Sequence, residues 1–293
     1  MASLMTKTIL CLGVSISLGC AHMGTEDKPP KSPAPAADRI ARSAIASPVK
    51  PKVTSLERAP ASALLIGNSF FYYNNSLHNH LGRLVRAAEP KVVDNFRSTS
   101  VTISGSGIDW HDVESYFRPN ALGSYSFDAR NNIVFNKLEK LFDVAIIMDC
   151  SQCPIHPKLK PVFHEYAKKD MDIVRKHRAT PILFMSWAYE DDPEMTAQLA
   201  EQYTIAGNAN DALVIPVGLA FAKALYKRPA LGLYADDKRH PSLEGTYLAA
   251  CTAFASLYKR SPEGLKYMAE LEPATAKFLQ AVAWETVTEY YGR

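Results

Sequence analysis

Short apolar runs that alternate with longer amphipathic stretches constrain the fold of this chain more than any other feature. Four runs have the length and apolar character of strands that are buried on both faces of a sheet. They are Ala63 to Ile66, Val144 to Met148, Ile182 to Met185 and Leu213 to Val217. Strands that alternate with helices indicate βαβ units, in which helices cover both faces of a parallel sheet.

Five helical stretches and one more polar strand complete this α/β pattern. Val92 to Ser104 is β-like and is predicted to supply the second strand. The predicted helices are Leu77 to Ala88, Pro161 to His177, Pro193 to Ala206, Pro241 to Arg260 and Pro273 to Tyr291. Ligands bind beyond the carboxyl ends of the strands in such sheets, so the residues that follow each strand are the candidate site residues.

The N-terminal segment predicts a leader. The apolar run from Ile9 to Leu18 is too short to span a bilayer and is typical of a secretory signal. The sequence Gly19-Cys20-Ala21 resembles the cleavage box of bacterial lipoproteins, so Cys20 is the predicted lipidation site. Ordinary signal cleavage and an uncleaved anchor are the alternatives. All three predict an exported protein, periplasmic or attached to the outer membrane, and the first predicts membrane contact through a lipid anchor rather than a transmembrane span.

The composition changes again after the leader. Residues 24–60 are rich in Pro, Ala, Lys and Ser, which predicts a disordered tether. The predicted organisation is a leader at 1–20, a tether at 21–60 and one domain at 61–293. Residues 1–60 carry 8 Lys and Arg against 4 Asp and Glu, and the remainder carries 25 against 26. A nearly neutral domain has no electrostatic footprint for nucleic acid, so no nucleic-acid partner is predicted.

Two short motifs carry the candidate chemistry. Gly67-Asn68-Ser69-Phe70 ends the first predicted strand and places Ser69 just ahead of a helix, with Gly67 permitting a tight turn. By itself this motif favours an ordinary turn with a helix N-cap. Asp237 precedes His240 by three residues, so its carboxylate can reach Nδ1 of the imidazole and leave Nε2 for a serine proton. Asp236 is a competing partner, and an isolated pair of this kind equally fits a metal site or a surface turn.

Together the two motifs resemble the SGNH (GDSL-like) hydrolases, in the branch with Gly-Asn-Ser-Phe in place of Gly-Asp-Ser-Leu. The resemblance covers most of residues 61–260 and includes Met185-Ser186-Trp187-Ala188-Tyr189 and His240-Pro241-Ser242. It implies a flavodoxin-like, three-layer α/β/α sandwich with a parallel sheet. It also implies hydrolysis of esters, often acetyl esters on carbohydrates, and the predicted reaction needs no metal or organic cofactor.

The resemblance also implies roles for site residues. Ser69 is the expected nucleophile, His240 the general base and then acid, and Asp237 the residue that orients the imidazole. The backbone N–H groups of Ser69 and Gly105 are expected to bind the oxyanion, with Gly107 as the alternative. The family's third donor is an Asn after the third strand. This chain has no Asn there, and the candidate replacement is Gln152.

Three further residues are predicted to bind substrate, and they are Asn68, Trp187 and His111. Trp187 follows a predicted strand, where its ring can stack on a sugar or pack against the next helix. His111 is close in sequence to the predicted oxyanion loop. The histidine spacings match no zinc template, so no metal site is predicted.

Cys150 and Cys153 leave several interpretations open. A local disulfide or two buried thiols are the structural interpretations. Redox catalysis is the functional one, although it favours a motif that opens a helix. Cys251, in an apolar helix, is predicted to be a core residue.

Three functions from different classes follow from these patterns. A serine esterase is favoured because Ser69, Asp237 and His240 occur together. A non-catalytic glycan-binding lipoprotein of the same fold is the first alternative, because the oxyanion Asn is absent. A thiol-redox protein that uses Cys150 and Cys153 is the second.

Overall fold

The computed structural model of the protein describes residues 47–118, 120–122, 125–135, 138 and 140–293. The predicted leader, with Cys20, and the first part of the predicted tether lie outside these residues. The described chain forms seven strands. They are β1 (Ser62–Gly67), β2 (Arg97–Thr102), β3 (Tyr125–Phe127), β4 (Ile133–Phe135), β5 (Val144–Ile147), β6 (Thr180–Phe184) and β7 (Leu213–Ile215).

Five of these strands form the predicted parallel sheet, in the order β2-β1-β5-β6-β7. All residues of β1, β5 and β7 are buried, whereas β2 at the edge is half-buried. This difference explains why the second strand is the more polar one in the sequence. β3 and β4 form a separate antiparallel hairpin that the sequence pattern did not predict.

Helices cover both faces of the sheet. They are α1 (Ser69–Tyr72), α2 (Leu77–Ala87), α3 (Val113–Tyr116), α4 (Lys160–Lys176), α5 (Met195–Ala209), α6 (Val217–Lys227), α7 (Leu243–Tyr258) and α8 (Pro273–Tyr291). Right-handed crossovers place α2 and α4 on opposite faces, because the chain leaves β1 and β5 in opposite directions along the sheet. α7 and α8 pack on the α2 side. The architecture is the predicted α/β fold.

The five predicted helices are all present, and α6 and the two four-residue helices α1 and α3 are additional. The run predicted as a strand to Val217 ends at Ile215, since Pro216 interrupts the ladder and becomes the N-cap of α6. Across the residues with assigned positions, no helix combines the length and the hydropathy that crossing a bilayer requires.

Residues 47–60 lie on the domain, although the sequence places them in the tether. Ser47 Oγ donates to the Ala200 carbonyl (3.3 Å), and the Lys52 N–H donates to Asn208 Oδ1 (2.7 Å). Val53 and Leu56 pack against the core. The packed chain therefore begins before the predicted boundary at residue 61, because two apolar side chains anchor a segment whose overall composition is polar.

The order of the strands determines where a ligand site can lie. From β1 the chain adds β2 on one side, and it later adds β5 on the other side of β1. A crevice therefore opens above the carboxyl ends of β1 and β5. Ser69 follows β1 and Asp149 follows β5. The loop after β2 reaches the same place, since Asn68 Nδ2 donates to the carbonyls of both Ser106 (3.0 Å) and Asp149 (3.3 Å).

Candidate active site

Ser69, His240 and Asp237 form one hydrogen-bonded chain, although 171 positions separate the serine from the histidine. Ser69 Oγ lies 2.7 Å from His240 Nε2, and a short hydrogen bond joins Nδ1 to Asp237 Oδ2. With Nδ1–H donating to the carboxylate, Nε2 is the acceptor for the serine hydroxyl. The competing Asp236 is exposed, and no hydrogen bond within the described ranges joins it to His240.

Asp237 is fixed by the turn that it begins. Its Oδ1 accepts hydrogen bonds from the N–H groups of Arg239 and His240, both at 2.9 Å. Lys238 completes the turn with a left-handed φ of 62°. Partial burial opposes ionisation, but the hydrogen bonds from the His240 ring and from these two N–H groups outweigh it and lower the pKa of Asp237 to about 2. The carboxylate is therefore charged at neutral pH and can stabilise a protonated His240.

Aromatic rings hold the imidazole in place. Tyr73 stacks on His240 with centroids 4.2 Å apart and an interplanar angle of 8°, and Phe70 meets it edge-on at 5.6 Å. Both rings come from the segment that carries Ser69. Sequence reasoning missed Tyr73, for which the only signal is its position four residues after the serine.

Asn74 joins the serine segment to the histidine segment. Its Nδ2 donates to the Pro241 carbonyl (2.7 Å) and to Thr246 Oγ1 (2.9 Å). Asn74, Asn75 and Ser76 have φ values of 50°, 65° and 66°, in the left-handed region that Asn tolerates best after Gly. Such backbone strain is typical of functional sites. Asn74 is thus a positioning residue that the sequence pattern did not reveal.

Asn68 is not placed as a substrate-binding residue, which corrects the prediction. It is 4% exposed and caps α1, because its Oδ1 accepts from the Phe70 N–H (3.2 Å) while its Nδ2 holds the two neighbouring loops. Gly67 also differs from expectation. A Cβ there would lie 2.9 Å from the Phe71 ring, so close packing rather than a tight turn requires the glycine.

Trp187 does not face the crevice. It is completely buried and stacks between Phe70 and Phe221, with centroids 4.4 Å from each. Its Nε1 donates to the Arg239 carbonyl (3.0 Å), so the indole supports the turn that bears His240. The predicted stacking on a sugar is therefore wrong, and the packing alternative is correct.

His111 supports the backbone ahead of the serine. It is 6% exposed, its Nε2 donates to the Gly67 carbonyl (3.1 Å), and its Nδ1 accepts from the Tyr116 hydroxyl (3.0 Å). Burial lowers the pKa of His111, which keeps the ring neutral despite these contacts. Its role is to position Gly67, in place of the predicted contact with substrate.

The predicted oxyanion donors lie in the loops after β1, β2 and β5. The backbone N–H groups of Ser69, Gly105 and Gly107 donate no hydrogen bond within the described part of the chain. Gly105 is exposed, with φ at +70° and open space at its α-carbon. Gly107 is buried against the carboxylate of Asp109. Gly105 is therefore the more accessible donor, and Gln152 has an exposed side chain in the third loop.

Cys150 and Cys153 form a disulfide, which was the first structural interpretation. Because both sulfur atoms are bonded to each other, they are not available as thiolate ligands to hold a metal ion together with the adjacent Asp149. The motif lies in turns well before α4 begins at Lys160, so it does not open a helix as a thiol oxidoreductase requires. Cys251 is buried in α7, as predicted.

Asp149 connects the disulfide loop to the loop after β2. Its Oδ1 accepts from the N–H groups of Ile108 (2.8 Å) and Cys150 (2.7 Å). It is 2% exposed, and burial raises the pKa of Asp149 to about 6 although these hydrogen bonds oppose the shift. The carboxyl group thus holds two of the three loops that surround Ser69.

Solved structures of other proteins resemble this chain. No protein-family model and no curated protein matches the chain. A DUF4886 family protein from Bacteroides uniformis is similar, with a TM-score of 0.52 and 19% identity over 79% of this chain and 95% of that chain. A GDSL-like lipase from Parabacteroides merdae has a TM-score of 0.49 and 12% identity, over 70% and 98% of the two chains.

A lipolytic protein of the G-D-S-L family from Desulfitobacterium hafniense has a TM-score of 0.47 and 18% identity, over 67% of this chain and 99% of that chain. At identities this low a structural match is informative about fold and not about activity, and of these three structures the DUF4886 family protein has a TM-score above 0.5. The fold agrees with the one implied by the Gly-Asn-Ser-Phe and Asp-x-x-His motifs. The chain shares the α/β fold of the DUF4886 family protein from Bacteroides uniformis.

Proposed function

We propose that this protein is a serine esterase that hydrolyses a small acyl ester through an acyl-enzyme, with O-acetyl groups on carbohydrate as its substrate class. The observation that carries the proposal is the hydrogen-bonded order Asp237, His240, Ser69, with 2.7 Å between His240 Nε2 and Ser69 Oγ. The carbohydrate part rests on the resemblance of the sequence motifs.

In the first half-reaction, Ser69 Oγ attacks the carbonyl carbon of the ester while its proton passes to His240 Nε2. The charge of Asp237 stabilises the imidazolium that forms. The N–H groups of Ser69 and Gly105 donate to the developing oxyanion. The C–O bond of the ester then breaks, the Nε2 proton goes to the leaving alcohol oxygen, and the acyl group remains on Ser69.

Water completes the cycle in the second half-reaction. His240 Nε2 takes a proton from a water molecule, whose oxygen attacks the acyl carbon. The bond to Ser69 Oγ breaks and the serine recovers its proton from Nε2. One water is consumed, and one acid and one alcohol are released for each ester.

A fluorophosphonate probe and hydrolysis of p-nitrophenyl acetate test the proposal. Wild-type protein is expected to be labelled by the probe and to hydrolyse p-nitrophenyl acetate, whereas Ser69→Ala does neither. Ser261, which follows α7, is the control serine, and Ser261→Ala is expected to behave as wild type. A wild-type protein that neither labels nor turns over contradicts the proposal. Loss of activity in Cys150→Ser with retention in Ser69→Ala would instead support the redox alternative.

We also propose that the first 20 residues direct export and that Cys20 carries the lipid anchor. The support is the apolar run ahead of Gly19-Cys20-Ala21. In a Gram-negative host that expresses the full chain, wild type is expected in the membrane fraction and Cys20→Ala in the soluble periplasmic fraction. Identical fractionation of the two proteins contradicts lipidation.

A further inference from the structure

His80 joins the segment that follows Ser69 to a part of the chain near the C-terminus. It lies on α2 and is 3% exposed. Its Nε2 lies 2.7 Å from the Asn74 carbonyl oxygen, and its Nδ1 lies 2.8 Å from the Tyr267 hydroxyl oxygen. A carbonyl oxygen can only accept, so Nε2 carries the proton, and Nδ1 of the neutral ring accepts from the Tyr267 hydroxyl. The two partners therefore fix a single tautomer of His80.

The His80 ring is neutral at neutral pH. Burial lowers the pKa of His80, the hydrogen bond to the Asn74 carbonyl opposes this shift, and the charge of Arg83 adds to it. Nδ1 therefore keeps the lone pair that accepts from the Tyr267 hydroxyl. The reaction steps proposed above use neither His80 nor Tyr267.

The Asn74 carbonyl belongs to a strained part of the backbone. The three residues from Asn74 to Ser76 all have positive φ values, a conformation that residues other than Gly keep only where the surrounding structure holds it. His80 holds this run at two points, because its backbone N–H donates to the Ser76 carbonyl (3.4 Å) while its ring donates to Asn74. The Asn74 side chain in turn donates to the Pro241 carbonyl. A displaced Asn74 peptide would therefore also displace the contact that joins the serine segment to His240.

Tyr267 is itself held between the last two helices. Its carbonyl accepts from the Tyr247 hydroxyl (2.6 Å), which accepts in turn from Gln280 Nε2 (2.8 Å). Tyr247 on α7 and Gln280 on α8 are completely buried. Tyr267 comes after residue 260, where the resemblance of the sequence to the SGNH hydrolases ends. A contact from outside that region thus reaches the serine segment.

We propose that His80 and Tyr267 are positioning residues of the candidate active site. They hold the Asn74 peptide, and through it they keep Ser69 aligned with His240. This inference rests on the proposed esterase function, and it gives the C-terminal part of the chain a role in that reaction. Neither residue touches the reacting atoms. They act through Asn74, whose side chain reaches the histidine segment while its carbonyl is bonded to His80.

Two substitutions of His80 test the contact with Asn74. His80→Leu keeps a similar volume but removes the donor, so kcat for p-nitrophenyl acetate is expected to fall about 10- to 100-fold with KM nearly unchanged. His80→Gln keeps an N–H donor and is expected to restore most of the lost activity. Urea unfolding checks that each variant is folded under the assay conditions. No loss of kcat in His80→Leu, or a loss that His80→Gln does not reverse, overturns the proposal.

Tyr267→Phe tests the second contact, with Tyr258→Phe as its matched control. The Tyr258 hydroxyl also makes a hydrogen bond, to the Pro60 carbonyl (2.8 Å), but it does so ahead of β1, at the opposite end of that strand from Ser69. Tyr267→Phe is expected to lower kcat about 3- to 10-fold, because His80 loses the partner that fixes its tautomer. Tyr258→Phe is expected to lose similar stability and to retain wild-type kcat. Equal kcat values in the two variants contradict the role of Tyr267.

The double variant His80→Leu with Tyr267→Phe tests the order of the contacts. Because Tyr267 acts through His80, its kcat is expected to equal that of His80→Leu alone. Additive losses overturn the proposal that the two residues form one chain of contacts to Asn74.

A measurement that needs no turnover separates this inference from the esterase proposal. The protein has eight histidines, and after ¹⁵N-histidine labelling the ring signals of His240 are identified by their loss in His240→Gln. His80→Leu and Tyr267→Phe are expected to shift these signals, whereas Tyr258→Phe leaves them in place. Shifted signals, together with a wild-type protein that hydrolyses no ester, support the positioning role and contradict the esterase. Unshifted signals and normal kcat in both variants overturn the positioning role and leave the esterase in place.

Discussion

Each ring nitrogen of His240 has its own partner, and the two partners come from different parts of the chain. Asp237 reaches Nδ1 through a local turn, whereas Ser69 reaches Nε2 only because β1 and the segment before α7 end at the same edge of the sheet. Tyr73 then restricts the tilt of the ring. At the residue scale the site therefore depends on positioning as much as on the three reactive side chains.

Asp237→Asn and Asp236→Asn compare the same chemical change at adjacent positions. Asp237→Asn removes the charge that accepts from Nδ1–H, so kcat for p-nitrophenyl acetate is expected to fall about 10³- to 10⁴-fold with little change in KM. Asp236→Asn is expected to retain wild-type kcat. Equal losses in steady-state assays of the two variants would refute the assignment.

Asn74→Ala removes the link between the serine and histidine segments. A displacement of His240 by a fraction of an ångström is expected to lower kcat about 10- to 100-fold. Asn75→Ala is the matched control because Asn75 also has a positive φ, and no hydrogen bond among the described residues joins it to Pro241. Thermal unfolding checks that both variants are folded at the assay temperature, although Asn74→Ala is expected to lose more stability because it loses two hydrogen bonds. A normal kcat in Asn74→Ala would exclude the positioning role.

At the element scale, three loops that follow β1, β2 and β5 build the site. Asn68 caps α1 and holds the other two loops, and Asp149 joins the loop after β2 to the disulfide loop. Hydrogen bonds within buried polar networks of this kind reinforce one another, although Asp149 Oδ2 is buried without a hydrogen-bond partner among the described residues. Core packing therefore positions the strands, and polar side chains position the loops.

The disulfide loop provides a test at this scale. The double variant Cys150→Ser with Cys153→Ser is expected to lose about 2 kcal/mol of unfolding free energy, since the closed loop is only four residues long. Its kcat is expected to fall as well, because the loop carries Gln152 and the Cys150 N–H group that donates to Asp149 Oδ1. Urea unfolding and p-nitrophenyl acetate kinetics measure the two effects. An unchanged kcat would separate this loop from catalysis.

At the scale of the whole molecule, two buried carboxyl groups influence how stability depends on pH. Burial raises the pKa of Asp149 to about 6 and that of Asp170 to about 7, above their ordinary value of 3.8. The folded state therefore holds these protons more tightly than the unfolded state. Their stabilising contribution is complete below pH 3.8 and is lost as the pH rises through 6 and 7.

Asp170→Asn tests this dependence. The variant keeps a neutral group at every pH, so its free energy of unfolding is expected to exceed that of wild type at pH 8, by at most about 4 kcal/mol, and to match it near pH 4. Asp172→Asn is the control on the same helix, because the pKa of exposed Asp172 is lowered by its bond to Lys168. Urea unfolding at pH 8 and at pH 4 measures the free energy of unfolding of each protein. A gain for Asp170→Asn that does not depend on pH would contradict the raised pKa.

The positions of strands and helices were predictable from the sequence because they follow from local hydrophobic periodicity. The same holds for Ser69 and for the Asp-x-x-His turn, whose chemistry lies within a few residues of a strand end or helix start. The β3–β4 hairpin, α6 and the four-residue helices α1 and α3 were missed. The hairpin exposes its apolar residues, and the start of α6 adjoins an apolar strand in a single run.

The amino-acid sequence by itself determined the α/β class, the strand that ends just before Ser69 and the residues able to form a triad. Only the tertiary structure decided that Asp237 is the partner of His240, and that Asn68 and Trp187 are buried whereas Trp110 is exposed. The physical reason is that periodicity is a property of neighbouring residues. Burial and hydrogen bonding at this site join residues up to 171 positions apart.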